Sequence, residues 1–337
     1  MNTTWALLIE YDGTGLAGWQ VQDGQATVQG LLEAAAARLN GGVPVPVAAA
    51  GRTDAGVHAA GQVAMLALPE RHRADQVRDA LNFHLRPHPV VVLHAVVAPP
   101  GWNPRFSATG RAYRYRILNR RARPGLDAGH VWHVERPLDA AAMHAAAQPL
   151  LGRHDFTSFR AASCQANSPW RTLDRLDVAR DGEAVVIVAE ARSFLHHQVR
   201  NLVGTLKLVG EGRWPPRRVA EALVARDRSA AGPTAPPEGL VLTGVRYNPD
   251  PFGPDSFAPG PFAPGPAAPG PAAPGPTEAP SIAAASSGGM PLTQRSATTG
   301  TAISTPTAPA TPSISSTARP PPNESPARVT TQLSQSA

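Results

Sequence analysis

Cysteine is nearly missing from this chain: Cys164 is the single one among 337 residues. A lone thiol excludes a disulfide within the chain and a cysteine-built zinc site. Lysine is as scarce, with Lys207 the one lysine among 31 basic side chains and arginine the rest. Long apolar runs are missing as well. Nothing approaches the roughly 20 residues that a bilayer crossing needs, and no apolar stretch follows a basic start, as a secretory signal would require. The expected location is the cytoplasm, with no membrane partner.

What is present is positive charge and proline. The formal net charge is +6. The last stretch, 249–337, holds three arginines against four acidic residues, so the excess lies upstream of it. A basic domain suits a polyanion. That last stretch is written in Pro, Ala, Gly, Ser and Thr, with pentapeptides repeating from Phe257-Ala258-Pro259-Gly260-Pro261 to Pro276. Proline removes backbone donors and few apolar groups remain to bury, so 249–337 is expected to be a disordered tail. Glycine does not recur at every third position, which excludes a collagen helix. The roughly 250 residues before it are enough for one sizeable core or two modest ones.

Patterning predicts strands over 5–11, 43–50, 62–68 and 90–97 and helices over 27–39 and 74–85. A second batch follows: strands over 111–119, 173–179, 184–191 and 240–247, and helices over 139–151, 195–209 and 217–225. Thr27 reads as an N-cap and Asn40-Gly41-Gly42 as a stop. Arg180-Asp181-Gly182-Glu183 reads as a hairpin turn. The β-branched run over 90–97 reads as a buried strand. The expected fold class is α+β, with two lobes, 1–104 and 105–248, whose mostly antiparallel sheets lie side by side, flanked by helices, with a cleft between.

The most informative run is Gly51-Arg52-Thr53-Asp54-Ala55-Gly56-Val57-His58-Ala59. A single carboxylate stands among small residues that let a bulky ligand reach it. Asp beside Gly is commonly a turn residue that bonds its own backbone. Loops on a rigid scaffold are also where reactive groups are placed. His58, His196 and His197 invite a metal reading, as does His154-Asp155. Gly56 between Asp54 and His58 argues against a helical ligand pair, and no zinc spacing follows. The expectation is no metal.

The Asp54 run resembles the signature of the TruA family of tRNA pseudouridine synthases. Further family-like segments follow in order: Tyr11-Asp12-Gly13-Thr14 with Gly18-Trp19-Gln20, Arg105-Phe106-Ser107-Ala108-Thr109 leading to Tyr113-Arg114-Tyr115, Asp155 to Arg160, Phe194 to Gly204, and Ala235 to Leu240. The resemblance covers 5–247. It implies the pseudouridine synthase fold, a homodimer, no cofactor, and tRNA bound through its anticodon arm, with uridines 38, 39 and 40 as targets. It implies that Asp54 is the catalytic residue, that Arg200 pairs with it, and that Tyr113 stacks on the base and assists proton transfer. It also implies that Arg52 enters the RNA to hold the vacated space and that Leu240 closes the pocket. Spacing alone does not separate Tyr113 from Tyr115, because both fall on one face of their strand. The chain departs from the family pattern at Leu16 and at Asn103-Pro104, positions that bear on RNA contacts more than on the reaction. Two rival readings are an RNA-binding protein that has lost catalysis and a metal-dependent hydrolase acting on nucleic acid. A third is a related enzyme acting on another RNA.

Overall fold

The structure, a computed structural model, describes residues 1–253. The expected tail therefore lies, from 254 onward, outside the described residues. The stretch before it is packed: Phe252 lies against the first hydrophobic core.

Each element forms where local chemistry favours it. Strand β1 (Asn2–Tyr11) alternates its apolar side chains and buries Trp5, Leu7, Ile9 and Tyr11. Helix α1 (Val28–Leu39) opens with the Thr27 side chain accepting the Gly30 N–H, a cap that contributes about 1 kcal/mol. It ends as the chain reaches Asn40-Gly41. Strand β2 is only Ala48–Ala49. The longer strand expected over 43–50 does not form, since Pro44 and Pro46 withhold the N–H groups that a ladder needs. Strand β3 (His58–Pro69), helix α2 (Ala74–Leu85) and strand β4 (Val90–Val97) complete the first batch. Strand β4, at the sheet edge, buries Val90, Val92 and Ala95 but exposes Val91, His94 and Val97, so only one of its faces is covered and it is not the buried strand expected.

The second batch is β5 (Gly110–Leu118), the short β6 (Trp132–His133), α3 (Ala140–Ala147), β7 (Gly152–Asp155), β8 (Trp170–Asp181), β9 (Ala184–Ala191), α4 (Gln198–Gly210), α5 (Arg217–Ala225) and β10 (Leu240–Arg246). Helix α3 is shorter than predicted because Pro149 turns the chain into a single 3-10 turn. Helix α4 starts three residues late because His197 adopts a left-handed backbone, φ 61°. The β8–β9 hairpin turns at Gly182, as Asp-Gly predicts.

The two batches share one ten-stranded sheet in the order β4-β1-β3-β10-β5-β9-β8-β7, with β2 and β6 on its flanks. Strand β10 joins them, pairing in parallel with β3 (Val241 opposite His58) and antiparallel with β5 (Leu242 opposite Tyr113). The expected side-by-side sheets are thus continuous at their join. The buried side chains still form two cores. One packs β1, β3 and β4 against α1 and α2, and the other packs β5, β8 and β9 against α3, α4 and α5. Tyr113 touches both. The middle of the sheet, where β3, β10 and β5 meet, is where the site lies.

Candidate active site

Asp54 sits in the loop that carries the chain from β2 to β3, and that loop is braced at nearly every residue. The Tyr11 hydroxyl and Thr53 Oγ1 are 2.7 Å apart. The Trp19 N–H donates to the Thr53 carbonyl at 3.0 Å, and the Gly56 N–H to that of Leu16 at 3.2 Å. Gln62 Nε2 donates to the Gly51 carbonyl at 2.8 Å. Gly18 makes this docking possible. A Cβ there would stand 2.7 Å from the Thr53 carbonyl oxygen, and its φ of +87° suits glycine. Burial pushes the Tyr11 hydroxyl up to about 12, so it remains a protonated phenol in this bracing.

The carboxylate faces three side chains from the start of α4. Arg200 Nη1 donates to Asp54 Oδ2 at 2.8 Å, with Arg200 13% and Asp54 22% exposed. The same guanidinium donates through Nε to the Ala235 carbonyl at 2.8 Å. A planar fork that serves two acceptors at once fixes the direction of the carboxylate. Its helix is buried on nearly every side, and the Asn201 side chain donates to the Phe159 carbonyl at 2.9 Å, so Arg200 rides on a rigid element. His197 Nε2 lies 3.3 Å from Asp54 Oδ2 and His196 Nε2 lies 3.4 Å from Oδ1. Burial holds the His197 imidazole below its ordinary titration, against the pull of Asp54 and with help from His196 and Arg200. Neutral near pH 7, it can hydrogen-bond to the carboxylate without competing as a second charge. Its left-handed backbone is a strained arrangement of the kind kept at functional sites.

Tyr113 projects from β5, half-buried, with its ring edge-on to Phe194 at 5.2 Å between centroids. Burial, then the nearby Tyr11 and the Asp54 charge, raise its pKa. It is therefore a phenol that keeps its proton. Tyr115, two residues on, is fully buried, and its hydroxyl donates to the Pro236 carbonyl at 2.8 Å. The structure thus separates the two tyrosines: Tyr115 is a packing residue and Tyr113 is the one near the carboxylate. Arg52 is exposed on the Asp54 loop. Leu240 is 5% exposed at the start of β10, inside the second core.

His58 does not join Asp54. Its Nδ1 lies 3.0 Å from the Gly13 N–H and 3.0 Å from Asp12 Oδ1, and its Nε2 lies 3.0 Å from the Gly129 carbonyl and 3.2 Å from that of Glu238. Two carbonyl acceptors require the proton on Nε2. The ring ties these loops together; Asp12, His58 and His130 also lie close enough to share a cation, although His58 Nε2 is turned to the two carbonyls. Asp54, His196 and His197 lie close enough to share a cation, but the Arg200 guanidinium already holds that carboxylate and repels one.

Three contributors are not legible as such in the sequence. The sequence offers His196 and His197 only as metal ligands. Arg111, read merely as the first residue of a strand, is buried and donates to the carbonyls of Ala50 at 2.8 Å, Arg105 at 2.9 Å and Arg192. It ties the root of the Asp54 loop to the far end of β9. The sequence gives it no distinct signal, because Arg114 and Arg116 stand in the same strand.

A carboxylate gripped by a guanidinium, bordered by imidazoles and a protonated phenol and left partly open, is the equipment of an enzyme that performs nucleophilic or proton-transfer chemistry. Residues 7–107 and 146–248 match the family described as tRNA pseudouridine synthase. The chain is 72% identical over 249 residues to tRNA pseudouridine synthase A of Acidiphilium cryptum, covering 74% of this chain and 98% of that protein. It is 59% identical over 250 residues to the protein of that name from Gluconobacter oxydans, covering 74% and 91%. With the one from Paramagnetospirillum magneticum it shares 61% over 242 residues, covering 72% and 94%. The chain belongs to the tRNA pseudouridine synthases, in the TruA family.

Proposed function

We propose that this chain isomerises uridine to pseudouridine at positions 38, 39 and 40 in the anticodon stem-loop of tRNA, with Asp54 as the catalytic carboxylate. The observation that carries the reading is the Asp54 carboxylate held 2.8 Å from Arg200, inside the segments that match the family.

The reaction breaks the bond from ribose C1′ to uracil N1, turns the base and joins C1′ to C5. The C5 proton leaves and N1 gains one, so nothing is oxidised or hydrolysed overall. Asp54 serves either by attacking C1′ and holding the sugar or by removing a ribose proton to give a glycal. A stacked uridine must first be flipped out, at roughly a few kcal/mol, and Arg52 enters the RNA to hold the space it leaves, a role that its exposure on the Asp54 loop supports. Tyr113 stacks on the flipped base. Because its phenol keeps its proton, it passes the C5 proton as a relay and does not act as a free phenolate. Leu240 forms the pocket wall.

The RNA lies in a cleft between lobes 1–104 and 105–248; the two cores follow this division only in part, since Ala108, Leu242, Val245 and Tyr247 pack in the first and Val57 in the second. The protein works as a cytoplasmic homodimer without cofactor or metal. Among the described residues no helix is long and apolar enough to cross a membrane. Arginine contacts to phosphates make tRNA affinity fall steeply with salt.

The test is incubation of purified protein with unmodified tRNA in EDTA, followed by chemical mapping. Pseudouridine at 38–40 with undiminished yield is expected, and chelator-dependent activity or strand cleavage would overturn the reading. Tyr113→Phe keeps the ring and removes the hydroxyl. Single-turnover kinetics should then show a fall of about 10²-fold or more with tRNA affinity unchanged. Ending the chain after Gly253, which retains Phe252, should leave kcat/KM within about twofold of the full chain. A large loss would show that 254–337 takes part in the reaction.

A further inference from the structure

A second basic feature lies beside the site and has no part in the chemistry above. Arg153 on β7, Trp170, Arg171 and Thr172 at the start of β8, and Arg192 and Ser193 just after β9 line an open groove of about 150 Å³. Three guanidiniums gather there, and among the described residues no carboxylate pairs with any of the three. Coulomb repulsion disfavours such a cluster unless something anionic joins it. Arg171 spends Nη1 on the carbonyls of Ser168 at 3.0 Å and Trp170 at 2.6 Å, yet its Nε is buried with no partner. A buried guanidinium N–H left without an acceptor is costly.

Trp170 stays 42% exposed, with the Arg153 guanidinium 5.0 Å from its ring centroid. An exposed indole beside free guanidiniums is the pairing that holds single-stranded RNA, because every base has a face to stack and every nucleotide a phosphate. The groove also adjoins the active site. Arg192 and Ser193 lead directly into Phe194, whose ring meets Tyr113, and the Arg192 carbonyl is bound by Arg111 from the root of the Asp54 loop.

We infer that this groove is a subsite for the substrate RNA strand flanking the target uridine. The arginines take its backbone phosphates and Trp170 stacks one of its bases. The inference rests on the tRNA reading above and assigns the groove to RNA, not to an acidic peptide. It gives the enzyme a hold on the strand that does not depend on the base sequence, as a protein serving neighbouring uridines needs.

The test uses full-length protein with Arg153→Ala, Arg192→Ala, Trp170→Ala and Trp170→Phe. Filter binding to tRNA is measured across a salt series, turnover is measured alongside, and the melting temperature of each variant is recorded. Each arginine variant should weaken tRNA binding about tenfold and reduce the salt slope by about one, with the loss falling on KM and not on kcat. Trp170→Ala should weaken binding about tenfold and Trp170→Phe should restore most of it, a rescue that a purely structural role for the indole would not give. Wild-type affinity and salt slope in Arg153→Ala and Arg192→Ala, or weakening by Trp170→Ala that Trp170→Phe leaves uncorrected, would overturn the groove assignment. If wild-type protein binds tRNA through these residues but forms no pseudouridine, the catalytic reading fails and the groove stands.

Discussion

Asp54→Asn is expected to abolish pseudouridine formation, lowering single-turnover rates by at least about 10⁴-fold, the order of loss seen when a covalent or proton-abstracting group is removed. Asparagine fills nearly the same volume and can still accept a hydrogen bond from Arg200, so the loop bracing of Thr53, Gly56 and Gly51 should survive. Binding of tRNA and melting temperature should therefore change little. The variant has lost the charge, and with it both routes open to Asp54, since an amide neither attacks C1′ nor takes a ribose proton. Measurable turnover would remove Asp54 from the chemistry and return it to the role of a turn residue.

Arg200→Lys is the second large effect. Lysine keeps the charge but has no rigid fork, and a single ammonium cannot span both Asp54 Oδ2 and the Ala235 carbonyl as Arg200 Nη1 and Nε do. The rate should fall about 10²–10³-fold, the scale of losing one preorganised electrostatic contact, with KM nearly constant. Arg200→Ala should fall further and also lower the melting temperature. Removing one partner of a buried pair costs about 3–5 kcal/mol, and the partial exposure here brings the cost below that. The imidazole of His197 remains 3.3 Å from the carboxylate, so some orientation persists in that variant. Equal activity of Arg200→Lys and wild type would mean that charge alone, without aim, is what Asp54 needs.

The sequence carried more of this site than of its architecture. Asp54, Arg200 and Tyr113 are singled out only because a run of small residues around Asp54 and the colinear segments after it resemble a family; the structure brings Arg200 to 2.8 Å from Asp54, and their roles are those proposed above. Local rules did the rest: Thr27 capped α1, Asp181-Gly182 turned the hairpin, and α2, α5 and β4 fell on their predicted bounds. Where those rules failed, another local rule prevailed. Pro44 and Pro46 dissolved a strand, and Pro149 cut a helix.

The tertiary structure decided everything that depends on distance along the chain. Residues 54 and 200 are 146 apart; the resemblance implies their pairing, but no local rule in either neighbourhood does. The same holds for the parallel pairing of β10 with β3, which turned two expected sheets into one. It holds for the histidines beside Asp54, for Arg111 under its loop, and for the full burial that sets Tyr115 apart from Tyr113, which spacing alone does not separate. By itself the sequence determined which groups exist and which short segments they stiffen, because caps, turns and alternation are settled within a few residues. Which groups meet was decided by burial of the two cores and by strand pairing across the sheet, since those energies come only from residues far apart in the chain.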